Sequence, residues 1–231
     1  MITVPVRHVT NSTPRTRLIH LDLRSTTFSF AAGQAIMLGL ASSPLRKPYS
    51  IASAPWELAK SGILQALVQV EDSSTLDPHL ELALPGTMLD LEGPFGSFGL
   101  PDRLDGPLLF IAGGTGIAPL RSMLIEHLAR PTRHPVALIY SARSVDEFAF
   151  RTELAALESA GRITSYLTVT REEKPDWQGR RGRISDALLT EALPSADSTC
   201  LICGPPELVA GASTLLMKLG VGAERILTEK Y

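Results

Sequence analysis

Ile19, Leu21 and Leu23 alternate with His20, Asp22 and Arg24, the two-residue period of a strand with one buried face. Short apolar stretches of the same kind recur at 34–40, 49–52, 63–70 and 88–91, punctuated by Gly33, Ser42–Ser43–Pro44, Gly62, Gly86 and Gly93–Pro94. Short strands separated by turn residues predict a small antiparallel barrel or sandwich. Residues 75–84 break the pattern and read as a brief helix.

Beyond Pro101–Asp102 and Gly106–Pro107 the rhythm changes. Apolar runs at 108–112, 136–140, 163–169 and 200–203 alternate with helical patterns at 119–129, 146–160, 185–193 and 206–219, and a last strand covers 226–231. Such alternation builds a parallel sheet with helices on its faces. Pro119 and Pro206 suit a first helical turn, and Gly220 suits a C-terminal cap. Two domains are expected, 1–102 and 106–231, without internal repeats.

Composition narrows the function. Hydrophobic residues at 44% and charged residues at 20% describe an ordinary globular chain of 231 residues. A formal net charge of -2 argues against a nucleic-acid partner. No apolar run approaches the roughly 20 residues of a membrane span, and the N-terminus lacks the layout of a signal peptide. Cys200 and Cys203 cannot build a disulfide framework, which makes the cytoplasm the expected compartment. Nor can two cysteines hold a four-cysteine iron–sulfur cluster; no metal site is expected. Charge is uneven: Arg7, Arg15, Arg17, Arg24, Arg46 and Lys47 face only Asp22 in the first 47 residues. That is either a solvated surface or a basic rim around an anionic cofactor or an acidic partner.

Three segments carry candidate chemistry. Gly113–Gly114–Thr115–Gly116–Ile117–Ala118–Pro119 follows an apolar strand and opens a helix. Glycines there let the backbone approach a pyrophosphate, and the helix N-terminus supplies unpaired N–H groups; alternatively the turn is merely tight. Arg46–Lys47–Pro48–Tyr49–Ser50–Ile51–Ala52–Ser53 gathers two cations, an aromatic ring and a hydroxyl that could neutralise a flavin phosphate, stack on its ring and bond its N5 edge. A tyrosine beside a proline can equally be plain packing. Cys203–Gly204–Pro205–Pro206 ends a predicted strand, where a cysteine could touch a nicotinamide or act as a small hydrophobe. Cys200, in the same apolar strand, reads as core.

In this order and spacing the three segments resemble the ferredoxin–NADP reductase family, over essentially the whole chain. The resemblance implies a flavin-binding antiparallel β-barrel followed by a Rossmann-like α/β domain that binds NAD(P)H. The family's R-x-Y-S motif corresponds to Lys47–Pro48–Tyr49–Ser50, with Arg46 beside it, and its Cys-Gly motif to Cys203–Gly204. Gly93–Pro94–Phe95–Gly96 looks like the turn ending the barrel. The lysine at 47 lacks the bidentate fork of the family arginine. Where many members carry a glycine-rich turn around the FAD pyrophosphate, this chain has Asp72–Ser73–Ser74–Thr75, whose Ser74 and Thr75 hydroxyls could hold a phosphate. FAD is expected, with FMN possible.

The resemblance also implies roles. Ser50 bonds near flavin N5, Tyr49 packs on the ring, and Cys203 faces nicotinamide C4. The ending Glu229–Lys230–Tyr231 resembles plant-type members, whose terminal tyrosine covers the flavin and whose glutamate assists transfer. Thr170–Arg171–Glu172–Glu173 with Arg181–Gly182–Arg183–Ile184 resembles bacterial ferredoxin–NADP reductases. Arg171 and Arg181, with Arg143, then point to NADPH over NADH. The implied activity passes hydride from NAD(P)H to flavin and electrons onward to a separate ferredoxin, flavodoxin or oxygenase. Phe28–Ser29–Phe30–Ala31–Ala32–Gly33–Gln34 looks instead like NAD(P)H:flavin oxidoreductases, which release free reduced flavin. A non-catalytic relay subunit is the third alternative.

Overall fold

The computed structural model describes residues 1–70, 80, 83–131, 134–171 and 176–230. Six described strands form the antiparallel half: β1 (Ile2–Thr13), β2 (Thr16–Asp22), β3 (Ala35–Leu40), β4 (Lys47–Ser50), β5 (Ile63–Gln69) and β6 (Met88–Phe95), in the order β4-β3-β6-β1-β2-β5. The two edges meet just past β4, where Ile51 bridges Ala66 and the Ala52 N–H donates to the Gln65 carbonyl at 2.8 Å. Alternate side chains therefore point into a closed core of Val4, Ile19, Leu21, Ile36, Leu38, Leu64 and Leu91. Of the expected Gly93–Pro94–Phe95–Gly96 turn, the first three residues are the end of β6 itself and Gly96 follows it at φ +92°. Of the helix read at 75–84, only residues 80, 83 and 84 are described, and none of them is helical.

A helix that the sequence reading did not anticipate, α1 (Pro55–Ser61), sits between β4 and β5. Pro55 occupies its first position, Glu57 accepts the Ala54 N–H at 2.7 Å, and Gly62 ends it at φ +69°. At seven residues, its apolar pattern is too short to stand out from flanking strands.

The second half is a parallel sheet of β7 (Leu108–Gly113), β8 (Val136–Ala142), β9 (Thr164–Val169), β10 (Arg180–Arg181), β11 (Thr199–Gly204) and β12 (Ile226–Lys230), ordered β10-β9-β8-β7-β11-β12. Its helices are α2 (Ile117–Leu128), α3 (Arg151–Ser159), α4 (Asp186–Ala192) and α5 (Pro206–Lys218). From β7 the chain builds outward through β8 and β9 to β10, then crosses back to place β11 on the other side of β7, a topological switch point. Central strands β7, β8 and β11 are buried throughout, which explains their unbroken apolar runs.

The helix expected from 146 begins only at Arg151, because Phe150 turns into left-handed backbone at φ +58°. That bend lets Phe148 and Ala149 bury under Tyr140, whose ring meets Phe148 edge-on at 5.1 Å. A straight helix could not deliver both.

The halves are joined by one buried cluster. Ala32, Ala52, Leu67 and Phe98 from the barrel side share it with Ile117, Leu120, Met123 and Leu124 of α2. Embedded beside them is Arg121, with all five N–H groups used. It donates to Glu153 from Nε and Nη2 (2.7 and 2.6 Å), to Glu57 from Nη1 and Nη2 (2.8 and 3.1 Å), and to the Ala52 carbonyl at 2.9 Å. The Phe150 ring lies 5.2 Å from its guanidinium carbon. Burial works against the charge, but the hydrogen bonds to Glu153 and Glu57 prevail and raise its pKa above the ordinary arginine value.

Candidate functional site

The glycine turn stands at the switch point. Gly114–Gly116 form one 3-10 turn between β7 and α2. A Cβ on Gly116 would fall on the Cys203 carbonyl, and one on Gly113 would lie 2.7 Å from Leu208 and 2.9 Å from Pro205. A Cβ on Gly204 would in turn lie 3.1 Å from the Gly113 nitrogen. Glycine is thus required for packing the turn against β11. Tyr140 pins the turn from the other side, its hydroxyl donating to the Gly114 carbonyl at 3.0 Å and accepting the Ala149 N–H at 3.2 Å.

Cys203 and Glu229 are opposed across β11 and β12, and the thiol donates to the Glu229 carboxylate at 3.7 Å. Burial, then the neighbouring carboxylate, pushes the thiol far above its usual range. Burial also raises Glu229, partly countered by the thiol's hydrogen bond. The pair is a neutral thiol beside a half-buried carboxyl able to hold a proton. Cys200 lies on the opposite face of β11, as the alternation of a strand demands, among Leu109, Ile111 and Ile202. Its pKa is pushed up to about 12 by burial, and the two cysteines cannot act as a pair.

On the barrel, β4 presents Lys47, Pro48, Tyr49 and Ser50, all at least partly accessible, with Tyr49 resting against the core. Arg46 is different. It forms an ion pair with Asp90 and donates to the carbonyls of Leu40, Ser43 and Leu45, so its cation fastens the β3–β4 connection. The accessible cation of this motif is Lys47. The basic rim is likewise partly spent: Arg24 pairs with Asp22 and Arg15 with Glu147. Helix α2 grips the chain just past Ser50, with Arg121 on the Ala52 carbonyl and Ser122 Oγ donating to the Ser53 carbonyl at 2.7 Å. The turn that starts α2 and the motif of β4 are thereby held together.

A cleft of about 770 Å³ opens over the C-terminal ends of the parallel strands, with Thr13, Arg15, Thr16, Leu67 and Gln69 of the barrel as its far wall. Gly113, Gly114 and Thr115 line it, as do Arg143 and Arg171. Arg181 is not in the wall; it is exposed and donates to the Trp177 carbonyl at 3.3 Å. Arg183, two residues on, lines the cleft and pairs with Glu207 at 3.1 Å. Arg15, Glu147, Arg183 and Glu207 escaped the sequence reading as site residues. For Arg183 no signal existed: it lies past the two-residue strand β10, beyond Gly182 at φ +99°, where the alternation of a strand does not hold. Ser74, Thr75 and Tyr231 lie outside the described residues. No helix is long and apolar enough to cross a membrane, and no group of three metal-ligating side chains occurs, among the described residues.

Comparison with known proteins agrees with this geometry. A family model described as an oxidoreductase NAD-binding domain matches residues 110–214. The chain is 32% identical to ferredoxin–NADP reductase B of Sorangium cellulosum over 88% of its own length and 86% of that protein. It is 27% identical to the anthranilate 1,2-dioxygenase electron transfer component of Acinetobacter baylyi, spanning 94% of itself but 63% of that component. Among solved structures, a ferredoxin NADP+ reductase from Neisseria gonorrhoeae with bound FAD and NADP superposes with a TM-score of 0.82 at 25% identity, covering 99% of this chain and 98% of that one.

Proposed function

The chain belongs to the ferredoxin–NADP reductase family, and from that premise we propose that it is an NAD(P)H-dependent flavoprotein reductase passing electrons through FAD to a separate acceptor. The observation that carries the reading is the junction of half-sites: Cys203, bonded to Glu229, abuts the glycine turn, while α2, which that turn begins, holds the chain just past Ser50.

The residues suit the groups they would hold. For the dinucleotide there is a cleft of about 770 Å³ whose glycine turn packs so closely on β11 that a Cβ at Gly116 would fall on the Cys203 carbonyl. For the flavin there is the accessible edge strand β4, where Lys47 would neutralise phosphate, Tyr49 pack on the ring and Ser50 bond its polar edge. A flavin bound there supplies two-electron uptake and one-electron release. The chain's own work is positional. Cys203 stays protonated and offers a soft, uncharged surface to the nicotinamide, and Glu229 orients it. Tyr231 would cover the flavin face and yield it to nicotinamide. Arg143, Arg171 and Arg183 favour the 2′-phosphate, hence NADPH over NADH.

The test is the visible spectrum of the purified protein, chromatography of cofactor released on denaturation, and NADPH-driven reduction of ferricyanide. FAD and turnover are expected; release of reduced flavin as the sole product would identify a flavin reductase. A colourless protein that neither binds nor reduces added FAD, FMN or riboflavin would overturn the proposal.

A further inference from the structure

The cleft concentrates charge of one sign. Among its described lining residues, Arg15, Arg143, Arg171 and Arg183 face only Glu147 and Glu207, although the chain as a whole carries a net charge of -2. Three of these cations rise from the parallel-sheet half. Arg15 does not: it comes from the β1–β2 hairpin of the barrel.

The hairpin holds Arg15 rigidly. Thr13 and Thr16 exchange a hydroxyl hydrogen bond at 2.8 Å, the Arg15 N–H donates to Thr13 Oγ1 at 3.2 Å, and the Arg15 carbonyl accepts from Val70 at 2.8 Å. From this tip the side chain crosses the cleft, and Nη2 meets Glu147 Oε2 at 2.6 Å. Its Nε is buried and has no hydrogen-bond partner among the described residues. Glu147 is in turn close to the glycine turn, because Ala149, two residues on, is tied through the Tyr140 hydroxyl to Gly114. A guanidinium that spends only Nη2 on a carboxylate and leaves the neighbouring buried Nε–H unmet is matched by a tetrahedral oxyanion, which can take both N–H groups at once.

We propose that Arg15 is a binding residue for the dinucleotide pyrophosphate, supplied by the flavin-side domain and held by Glu147 until the nucleotide replaces that carboxylate. The inference rests on the nucleotide cleft described above. Binding then draws the hairpin and the glycine turn onto one ligand, so the barrel and the parallel sheet close on the same diphosphate. Since the pyrophosphate is common to both dinucleotides, Arg15 contributes equally to NADPH and NADH, unlike Arg171 and Arg183.

Equilibrium titration of the holoprotein with NADP+ and with NAD+ tests this. Arg15→Gln should weaken both by about tenfold, the scale of one charge-assisted contact. Arg15→Lys should fall between, keeping the charge without the fork. Glu147→Gln should tighten both by roughly two- to fivefold, because the competing carboxylate is gone, and should do nothing in an Arg15→Gln background. The Glu147 variant decides by itself, since it leaves the hairpin untouched. An ion pair that merely fastens the domains predicts weaker or unchanged binding in Glu147→Gln, and either result overturns the proposal. So would an effect of Arg15→Gln confined to NADP+. Failure of the unmodified protein to bind either nucleotide would instead overturn the function on which the inference stands.

Discussion

Replacing Arg121 by methionine should uncouple the two halves of the molecule. The side chain is only 6% exposed, yet its partners Glu57 and Glu153 retain 25% and 33% exposure. Removing one member of a fully buried ion pair costs about 3–5 kcal/mol. Here the two carboxylates can recover some water, but they are left facing each other, and the Ala52 carbonyl loses its donor. A loss of about 2–4 kcal/mol follows, discounted from that range for their solvent access. For a chain of this size that corresponds to a fall in Tm of about 5–15 °C, readable by circular dichroism and checked by urea unfolding. The coupling has a second signature. Arg121 and Ser122 anchor Ala52 and Ser53, so the variant should slow NADPH-driven ferricyanide reduction at saturating nucleotide while nucleotide affinity changes little. A stability loss below about 1 kcal/mol would refute the account of Arg121 as the fastener between the domains.

Lys47→Ala should weaken flavin retention with little effect on Tm, whereas Arg46→Ala should lower Tm through loss of the Asp90 pair and three carbonyl contacts; the released-cofactor assay and a thermal melt separate them. Arg183→Ala should raise the KM for NADPH more than for NADH, and equal changes would remove Arg183 from 2′-phosphate recognition. Cys203 and Cys200 should resist iodoacetamide at pH 8 in the native protein, since burial raises both thiols, and rapid native alkylation would contradict that. Glu229 has a folded pKa raised by burial, so its stabilising share is full below the unfolded value near 4.3 and is lost as pH rises through the folded one. Glu229→Gln should therefore gain on the unmodified protein in Tm between pH 4 and pH 8; a constant difference would contradict the burial of that carboxyl.

What the sequence made legible was local. Alternation at Ile19, Leu21 and Leu23 and the unbroken runs of β7, β8 and β11 report burial on one face or two, and burial is written into neighbouring residues. The glycine turn was legible because its neighbours in sequence, a strand and a helix, are its neighbours in space. Arg46 and Lys47 show the opposite case. Adjacent cations look interchangeable in the chain, yet one meets Asp90, forty-four residues away, and the other stays accessible. Arg181 and Arg183 differ for a related reason: a strand of two residues has no periodicity from which to read its facing side.

The residues that join the half-sites were hidden for a deeper reason. A motif describes what one segment offers a ligand, but hydride transfer depends on where two segments stand relative to each other. That relation is set by Arg121 in α2, which reaches Glu57 in the short helix α1 and Glu153 in a helix displaced by the left-handed bend at Phe150. Each of those partners depends on local structure that the hydrophobic pattern did not foretell. Arg121 alone reads as one more polar residue in an apolar helix, and its five satisfied N–H groups exist only once both domains are folded around it. The geometry of transfer is therefore encoded less in the ligand-facing motifs than in this buried cation, whose meaning is collective.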